Sequence, residues 1–307
     1  MGVSRSILLA ASTNNWLRNR AASYGFVRRT VSRFMPGEEF ADAMQAAEVL
    51  QRKSIGAVFT HLGENVNDAG EARQVTEQYL VAVDQMQQRG WNTEISVKLT
   101  QLGLDISAEL CLANLKEILR KVPGTSTVWI DMESSRYVDP TLDIYRRALQ
   151  QFPVTGICLQ SYLFRTPDDV GKLLPLRPSI RLVKGAYSEP ASAAFPKKSD
   201  VDESYFAIAS ELLRAKKNNQ MGRCTFGTHD LAMIRRITEL AAATAMAKKD
   251  VEVHMLYGIQ RKEQERLAAE GWRSIVLIAY GRYWYPWFVR RLAERPANAW
   301  FLLKNLF

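Results

Sequence analysis

Glu94-Ile95-Ser96-Val97-Lys98-Leu99 is followed by a helical pattern from Ser107 to Lys121 and then by Thr127-Val128-Trp129-Ile130-Asp131. A short apolar run, an amphipathic segment and a second short apolar run read as strand, crossover helix and parallel strand. The unit repeats in both directions. Upstream lies Gly56-Ala57-Val58-Phe59-Thr60, joined to the second run by a helical pattern from Glu71 to Gln88. Downstream come Val154-Thr155-Gly156-Ile157-Cys158-Leu159-Gln160, Ile180-Arg181-Leu182-Val183-Lys184 and Cys224-Thr225-Phe226-Gly227. Val251-Glu252-Val253-His254-Met255 and Ile275-Val276-Leu277-Ile278-Ala279 complete the set. Helical patterns at Leu142 to Gln151, Asp202 to Asn218 and Leu231 to Ala247 fill further gaps, and the segment Asp168 to Leu174 is short.

Alternating strands and helices imply a parallel sheet covered by helices. Eight units within roughly 250 residues point to a closed (β/α)8 TIM-like barrel of the α/β class. An open doubly wound sheet would carry a glycine-rich turn after its first strand. The chain has no G-x-G-x-x-G, so a Rossmann dinucleotide site is unsupported. Residues 1–53 read as an N-terminal helical segment, broken near Met35-Pro36-Gly37-Glu38, that packs on a barrel of residues 54–307.

Composition narrows the function classes. The chain has 307 residues, 41 basic and 32 acidic, for a net charge of +9. Part of the basic excess lies at Arg18, Arg20, Arg28, Arg29 and Arg33, where aromatic residues are not interleaved as a nucleic-acid groove requires. No nucleic-acid partner is expected. Cys111, Cys158 and Cys224 are too scattered for a disulfide framework or a zinc site, which suits a reducing cytoplasm. With three histidines, no metal centre is expected. Ile7-Leu8-Leu9-Ala10-Ala11 is too short to span a bilayer, and its context for signal cleavage is poor.

In a barrel of this kind chemistry gathers at the C-terminal ends of the strands. Those ends carry Lys98, Asp131, Gln160, Lys184, Thr228-His229-Asp230 and His254. Asp230 doubles as a candidate N-cap for the helix beginning at Leu231. A buried ion pair with a strand carboxylate such as Asp131 or Glu252 is the competing structural role for Arg181 and Lys184. Near the C-terminus, Pro286 suits a first helical position, and Arg290 and Glu294 then share one face, with Arg291 adjacent. An arginine oriented by its own carboxylate is a fork ready for a ligand carboxylate. Two chemistries fit these residue types. One is a Schiff-base aldolase using Lys98 or Lys184, with Asp131 carrying protons. The other is a cofactor enzyme whose arginines hold a small anionic substrate.

The motifs resemble those of the monofunctional bacterial proline dehydrogenases along nearly the whole chain. The resemblance rests on Tyr280-Gly281-x-x-Trp284-Tyr285-Pro286-x-x-x-Arg290-Arg291-Leu292-Ala293-Glu294-Arg295-Pro296-x-Asn298. It is supported by His61-Leu62-Gly63-Glu64, Ser96 to Thr100, Ile130 to Glu133, Arg181 to Tyr187, Thr228-His229-Asp230 and Met255 to Gly258. The resemblance implies a FAD-containing (β/α)8 barrel that oxidises L-proline to 1-pyrroline-5-carboxylate and passes electrons to a membrane quinone. It implies that Arg290, Arg291 and Lys98 bind the substrate carboxylate and that Glu294 holds Arg290. Asp131 and Tyr187 would line the pocket, with Asp131 near flavin and substrate. Arg181 and Gln160 would contact the flavin ring, and Lys184, Gly185, Ala186, Thr228 and His229 the rest of FAD.

Leu277 and Trp287 stand where the family usually carries tyrosines against the substrate ring, and His254 where it often has glutamine. L-proline remains the expected substrate, with a substituted proline or another cyclic imino acid as the alternative. A non-catalytic flavoprotein paralogue would have lost a clamp residue or Arg181, and neither is lost. A quinone acceptor implies peripheral membrane contact, for which Ile7 to Arg33 and Trp300-Phe301-Leu302-Leu303 are candidates.

Overall fold

The computed structural model describes residues 31–63, 65–92 and 94–285. Eight parallel strands close on themselves in sequence order: β1 Gly56–His61, β2 Glu94–Val97, β3 Thr127–Ile130, β4 Thr155–Gln160, β5 Ser179–Val183, β6 Cys224–Gly227, β7 Val251–Leu256 and β8 Arg273–Tyr280. Closure comes from β1 pairing with β8, Gly56 opposite Ile275 and His61 opposite Tyr280. The expected (β/α)8 barrel is the fold.

Around it lie α1 Phe40–Gln51, α2 Ala69–Gln88, α3 Ala108–Lys121, α4 Val138–Leu149, α5 Thr166–Leu173, α6 Lys198–Lys217, α7 Leu231–Ala243 and α8 Arg261–Ala269. Local chemistry sets their ends. Ser107 caps α3 by accepting from the backbone N–H of Glu109, and Asp230 caps α7 by accepting from Ala232 and Met233, as its position suggested. Helix α4 starts four residues before the expected Leu142, because Pro140 falls in its first turn, where a missing N–H costs nothing. Helix α7 stops short of Ala247 because the chain turns left-handed at Ala245 (φ 54°). Helix α8 has a weak apolar pattern and was not singled out in the sequence.

Alternate residues of each strand divide two interiors. Outward residues such as Ile95, Val97, Val128, Ile130, Ile157, Leu182 and Phe226 are buried with the helix faces, among them Leu115 and Ile118 of α3. Burial of each such side chain is worth about 1.5–3 kcal/mol. The inward residues are different. Val58, Trp129 and Ile275, with Leu277 packed against them, form a small separate apolar cluster on the barrel axis. Polar and charged side chains fill the rest.

Candidate active site

Asp131 follows the last residue of β3 and points into the mouth of the barrel. Ser96 and Lys98 lie two apart at the end of β2, so both face the same interior. The Arg181 guanidinium rises from β5. Arg181 Nη2 donates to Asp131 Oδ1 at 2.5 Å and to Ser96 Oγ at 2.6 Å. Ser96 Oγ in turn donates to Asp131 Oδ1 at 2.7 Å, and Lys98 Nζ donates to Asp131 Oδ2 at 2.9 Å. Burial alone would raise the Asp131 pKa, but the Lys98 and Arg181 charges beside it hold the carboxyl well below its ordinary range.

Arg181 has a further neighbour. Its Nε donates to Cys158 Sγ at 2.7 Å, and burial, largest among the causes, pushes that thiol up to about 12. Cys158 is therefore an uncharged filler, two residues before Gln160 on the same face of β4. The third guanidinium nitrogen, Nη1, is buried without a partner among the described residues. So is Gln160 Oε1 on the adjacent strand, while Gln160 Nε2 donates to Met132 O at 3.1 Å. An unsatisfied buried polar group costs about 1–3 kcal/mol, and two at the mouth of a barrel call for a ligand. A donor and an acceptor left over on neighbouring strands suit the edge of a heteroaromatic ring that carries both. The residues present fit such a ring.

Arg181 is thus ion-paired with Asp131, the structural role weighed against a ligand contact, yet it keeps one donor for a ligand. The pairing considered for Lys184 is different from the one observed. Its Nζ reaches Asp202 Oδ1 at 2.5 Å and Asp230 Oδ2 at 2.8 Å, at the starts of α6 and α7, and not Asp131 or Glu252. With Lys98 and Lys184 both tied to carboxylates, neither has the desolvated or cation-flanked setting of a Schiff-base lysine.

Gly185 adopts φ +118°, and a Cβ there would lie 2.3 Å from the Tyr162 ring. Its smallness is used by that ring, and the positive φ explains the residue type. Ala186 and the half-buried Tyr187 follow in the loop after β5. Thr228 Oγ1 accepts from Asp230 N at 3.2 Å, and His229 Nε2 accepts from Leu256 N at 2.9 Å, so the loop after β6 is stitched to the end of β7. Leu277 is half-buried on the inner wall against the cluster of Val58, Trp129 and Ile275. His254 is inward and buried, edge-on to Trp129 at 5.7 Å. Burial lowers its pKa to about 3, which keeps it neutral. Trp287, Arg290, Arg291 and Glu294 lie outside the described residues.

A family model described as proline dehydrogenase matches residues 43–304. The chain belongs to the proline dehydrogenase family. Proline dehydrogenase 1 of Bacillus subtilis is 37% identical over 303 residues, covering 98% of each chain. The proline dehydrogenase of Deinococcus radiodurans is 35% identical over 280 residues, covering 89% of each. Among solved structures, proline utilization A of Bdellovibrio bacteriovorus superposes with a TM-score of 0.81 at 20% identity, over 94% of this chain and 36% of that one. The corresponding protein of Corynebacterium freiburgense gives 0.74 at 19% identity, over 96% of this chain and 33% of that one. These larger proteins share the fold, and this chain spans about a third of their length.

Sequence reading of this proline dehydrogenase family member missed Ser96 and Cys158 as partners of Arg181. Both were findable from the strand period, since each lies two residues before a residue already singled out. It also missed Glu133, which takes Thr100 N at 3.1 Å and Thr100 Oγ1 at 2.6 Å and so locks the loop after β2 to the end of β3. No spacing signal marks that pair.

Proposed function

We propose that this chain oxidises L-proline to 1-pyrroline-5-carboxylate at the barrel mouth, with FAD as cofactor and a quinone as the final electron acceptor. The observation that carries this reading is Arg181: a buried cation balanced by Asp131, with one donor left unspent beside the free acceptor of Gln160, in a chain of the proline dehydrogenase family. FAD, when bound, supplies the hydride acceptor. Gln160 and Arg181 would hold its ring, and Lys184, Gly185, Ala186, Thr228 and His229 the rest. Two of these have structural work as well, because Lys184 is neutralised by Asp202 and Asp230 and His229 accepts from the Leu256 amide.

The chain's own residues bind and orient. Lys98, less buried than Arg181, would join Arg290 and Arg291 in holding the substrate carboxylate, with Glu294 fixing Arg290. Asp131, kept ionised by Lys98 and Arg181, orders the cationic groups around the pocket, and Tyr187 lines it. Leu277 and Trp287 would form apolar walls for the ring. Fixing one carboxylate fixes the ring carbon to be oxidised, so positioning supplies much of the rate. Arg181 would hold a positive charge beside the flavin and favour its electron-rich form.

Leu277 favours a second reading, in which a substituted proline or another cyclic imino acid is the better substrate. Its side chain continues the apolar patch of Val58, Trp129 and Ile275 and offers no hydrogen bond. An absorption spectrum before and after anaerobic L-proline decides the first reading: flavin bands should be present and should bleach. Bands unchanged by L-proline but bleached by 4-hydroxyproline or pipecolate would give the second reading the lead.

Among the described residues no helix is long and apolar enough to cross a membrane. Contact with a quinone-bearing bilayer would then be peripheral, on the cytoplasmic face, through residues 7–33 or 300–303. Residues 1–30 and 286–307 lie outside the described part. Liposome binding that survives deletion of residues 1–30 would rule out the N-terminal anchor.

A further inference from the structure

The chain leaves β8 through a turn clamped from two sides. On one side is the end of β1. Leu62 N donates to Tyr280 O at 2.8 Å, and a Cβ on Gly281 (φ +113°) would lie 3.0 Å from His61 Nε2 and 3.3 Å from Leu62 N. Only glycine suits both the conformation and the space. On the other side is Glu38, which precedes the barrel altogether. Its backbone carbonyl accepts from Gly281 N at 2.9 Å, and its side-chain Oε1 accepts from Trp284 Nε1 at 3.0 Å. One residue therefore grips both ends of the turn from Gly281 to Trp284, across a sequence separation of 246.

Glu38 is itself held in place. Glu39 N donates to Asp42 Oδ2 at 3.3 Å at the start of α1, and Gly37 is packed against the same Asp42 side chain. Beneath it, α1 rests on β1 and β8, with Phe40 against Phe59 and Tyr280 at ring separations of 5.1 and 5.0 Å. A second ion pair, Arg282 to Glu39 at 3.4 Å, is exposed and adds little. Trp284 is buried, so its indole N–H needs an acceptor, and Glu38 supplies one. Trp284 and Tyr285, the last described residues, take helical backbone.

We infer that Glu38 is a positioning residue for substrate binding: by fixing the turn from Gly281 to Trp284 it sets the direction in which the chain bearing Arg290 and Arg291 leaves the barrel. This rests on the proposed role of those arginines as the carboxylate clamp. Arg290 and Arg291 follow Trp284 by six and seven residues, and a bidentate arginine clamp tolerates little misplacement. Glu38 touches neither substrate nor cofactor, so its loss should weaken carboxylate binding and leave the reaction of bound substrate alone.

The test compares Glu38→Ala with Glu38→Gln in the full flavin-loaded chain. The amide oxygen of glutamine can still accept from Trp284, and the backbone bond to Gly281 remains in both. Glu38→Ala should raise the KM for L-proline about fivefold, the worth of one hydrogen bond, with kcat, flavin spectrum and Tm close to wild type. Glu38→Gln should restore a near wild-type KM. Unchanged KM in Glu38→Ala, or a fall in kcat and Tm with KM steady, overturns the inference. So does a Glu38→Gln variant as impaired as Glu38→Ala. Failure of the proposed function is seen separately, as a wild-type protein that L-proline does not reduce. In that event the dissociation constant of cyclopentanecarboxylate, a ring carboxylate without the nitrogen, still decides: a wild-type value matched by Glu38→Ala overturns the inference, and about fivefold weaker binding upholds it.

Discussion

A buried and a half-buried arginine flank one tryptophan, and they are not equivalent. The guanidinium carbons of Arg181 and Arg223 each lie 5.1 Å from the Trp129 ring centroid, one toward the mouth of the barrel and one toward its floor. On the floor side every Arg223 nitrogen is used. Nε donates to Glu252 Oε1 at 2.9 Å, Nη2 bonds the other oxygen of Glu252, and Nη1 serves Thr127 Oγ1 at 2.9 Å and Glu94 Oε1 at 2.9 Å. Arg273 adds a second cation to Glu252 at 3.1 Å, so charges balance. On the mouth side Arg181 has a thiol where Arg223 has a carboxylate, and one nitrogen has no partner among the described residues. A guanidinium whose every nitrogen is spent on the protein closes a fold. One left incomplete, in the same barrel and on the same aromatic ring, marks where something else is to bind.

The contrast can be broken most sharply on the floor. Arg223→Leu leaves Glu94 and Glu252 buried without their shared partner and should cost about 3–5 kcal/mol in urea unfolding. A loss under about 1 kcal/mol would mean that the floor network is not structural. The matching change above, Arg181→Met, should lower kcat for L-proline by about 10²–10³ while costing much less stability, because Asp131 keeps Lys98 and Ser96. Equal stability losses in the two variants would erase the distinction.

The floor should also contribute to acid unfolding, alongside Asp131 at the mouth, whose carboxyl is likewise held well below its ordinary range. Burial alone would raise the Glu252 pKa, but His254, Arg223 and Arg273 bring it down to about 2. A depressed carboxyl stabilises the fold above its unfolded pKa and loses that contribution as pH falls from about 4.3 toward 2, some 3 kcal/mol in all. His61 and His254, whose pKa values burial lowers to about 4 and about 3, add an earlier decline as pH falls below about 6.5, since the unfolded chain takes up protons that the fold refuses. Unfolding free energy measured against pH in wild type and Glu252→Gln isolates the floor: the variant should keep the histidine decline and the acid decline owed to Asp131, and lose the part owed to Glu252. Identical curves would place the acid sensitivity elsewhere. The smallest effect concerns the wall above Trp129. Leu277→Tyr should change the ratio of kcat/KM between L-proline and 4-hydroxyproline by about tenfold, within the reach of one altered pocket contact. No change would remove Leu277 from the specificity wall.

Short apolar runs and crossover helices made the barrel legible, and their places at strand ends pointed Lys98, Asp131 and Gln160 at one mouth, whereas Arg181 was assigned to the flavin only by the family resemblance. What alternation cannot tell is which inward charges pair. The structural role weighed against a cofactor contact for Lys184 was a strand carboxylate, yet it reaches the helix starts at Asp202 and Asp230, because helix placement around the barrel is a three-dimensional matter. Arg223 stands just before β6, and nothing local marks it as the partner of residues 129 and 29 positions away, Glu94 and Glu252. Gly185 shows the opposite limit. Its type was legible, but the occupant of the space, the Tyr162 ring, belongs to another loop.

Trp129 gives the barrel a floor. Its ring is fully buried, packs with Ile275 and Val58 and lies between Arg181 above and Arg223 below, so side chains fill the inside of the sheet at that level. The enclosure is a cup and not a tube. Whatever enters must depart by the way it came, so one molecule has to vacate before the next can settle, and the pace of the cycle is tied to emptying as much as to filling.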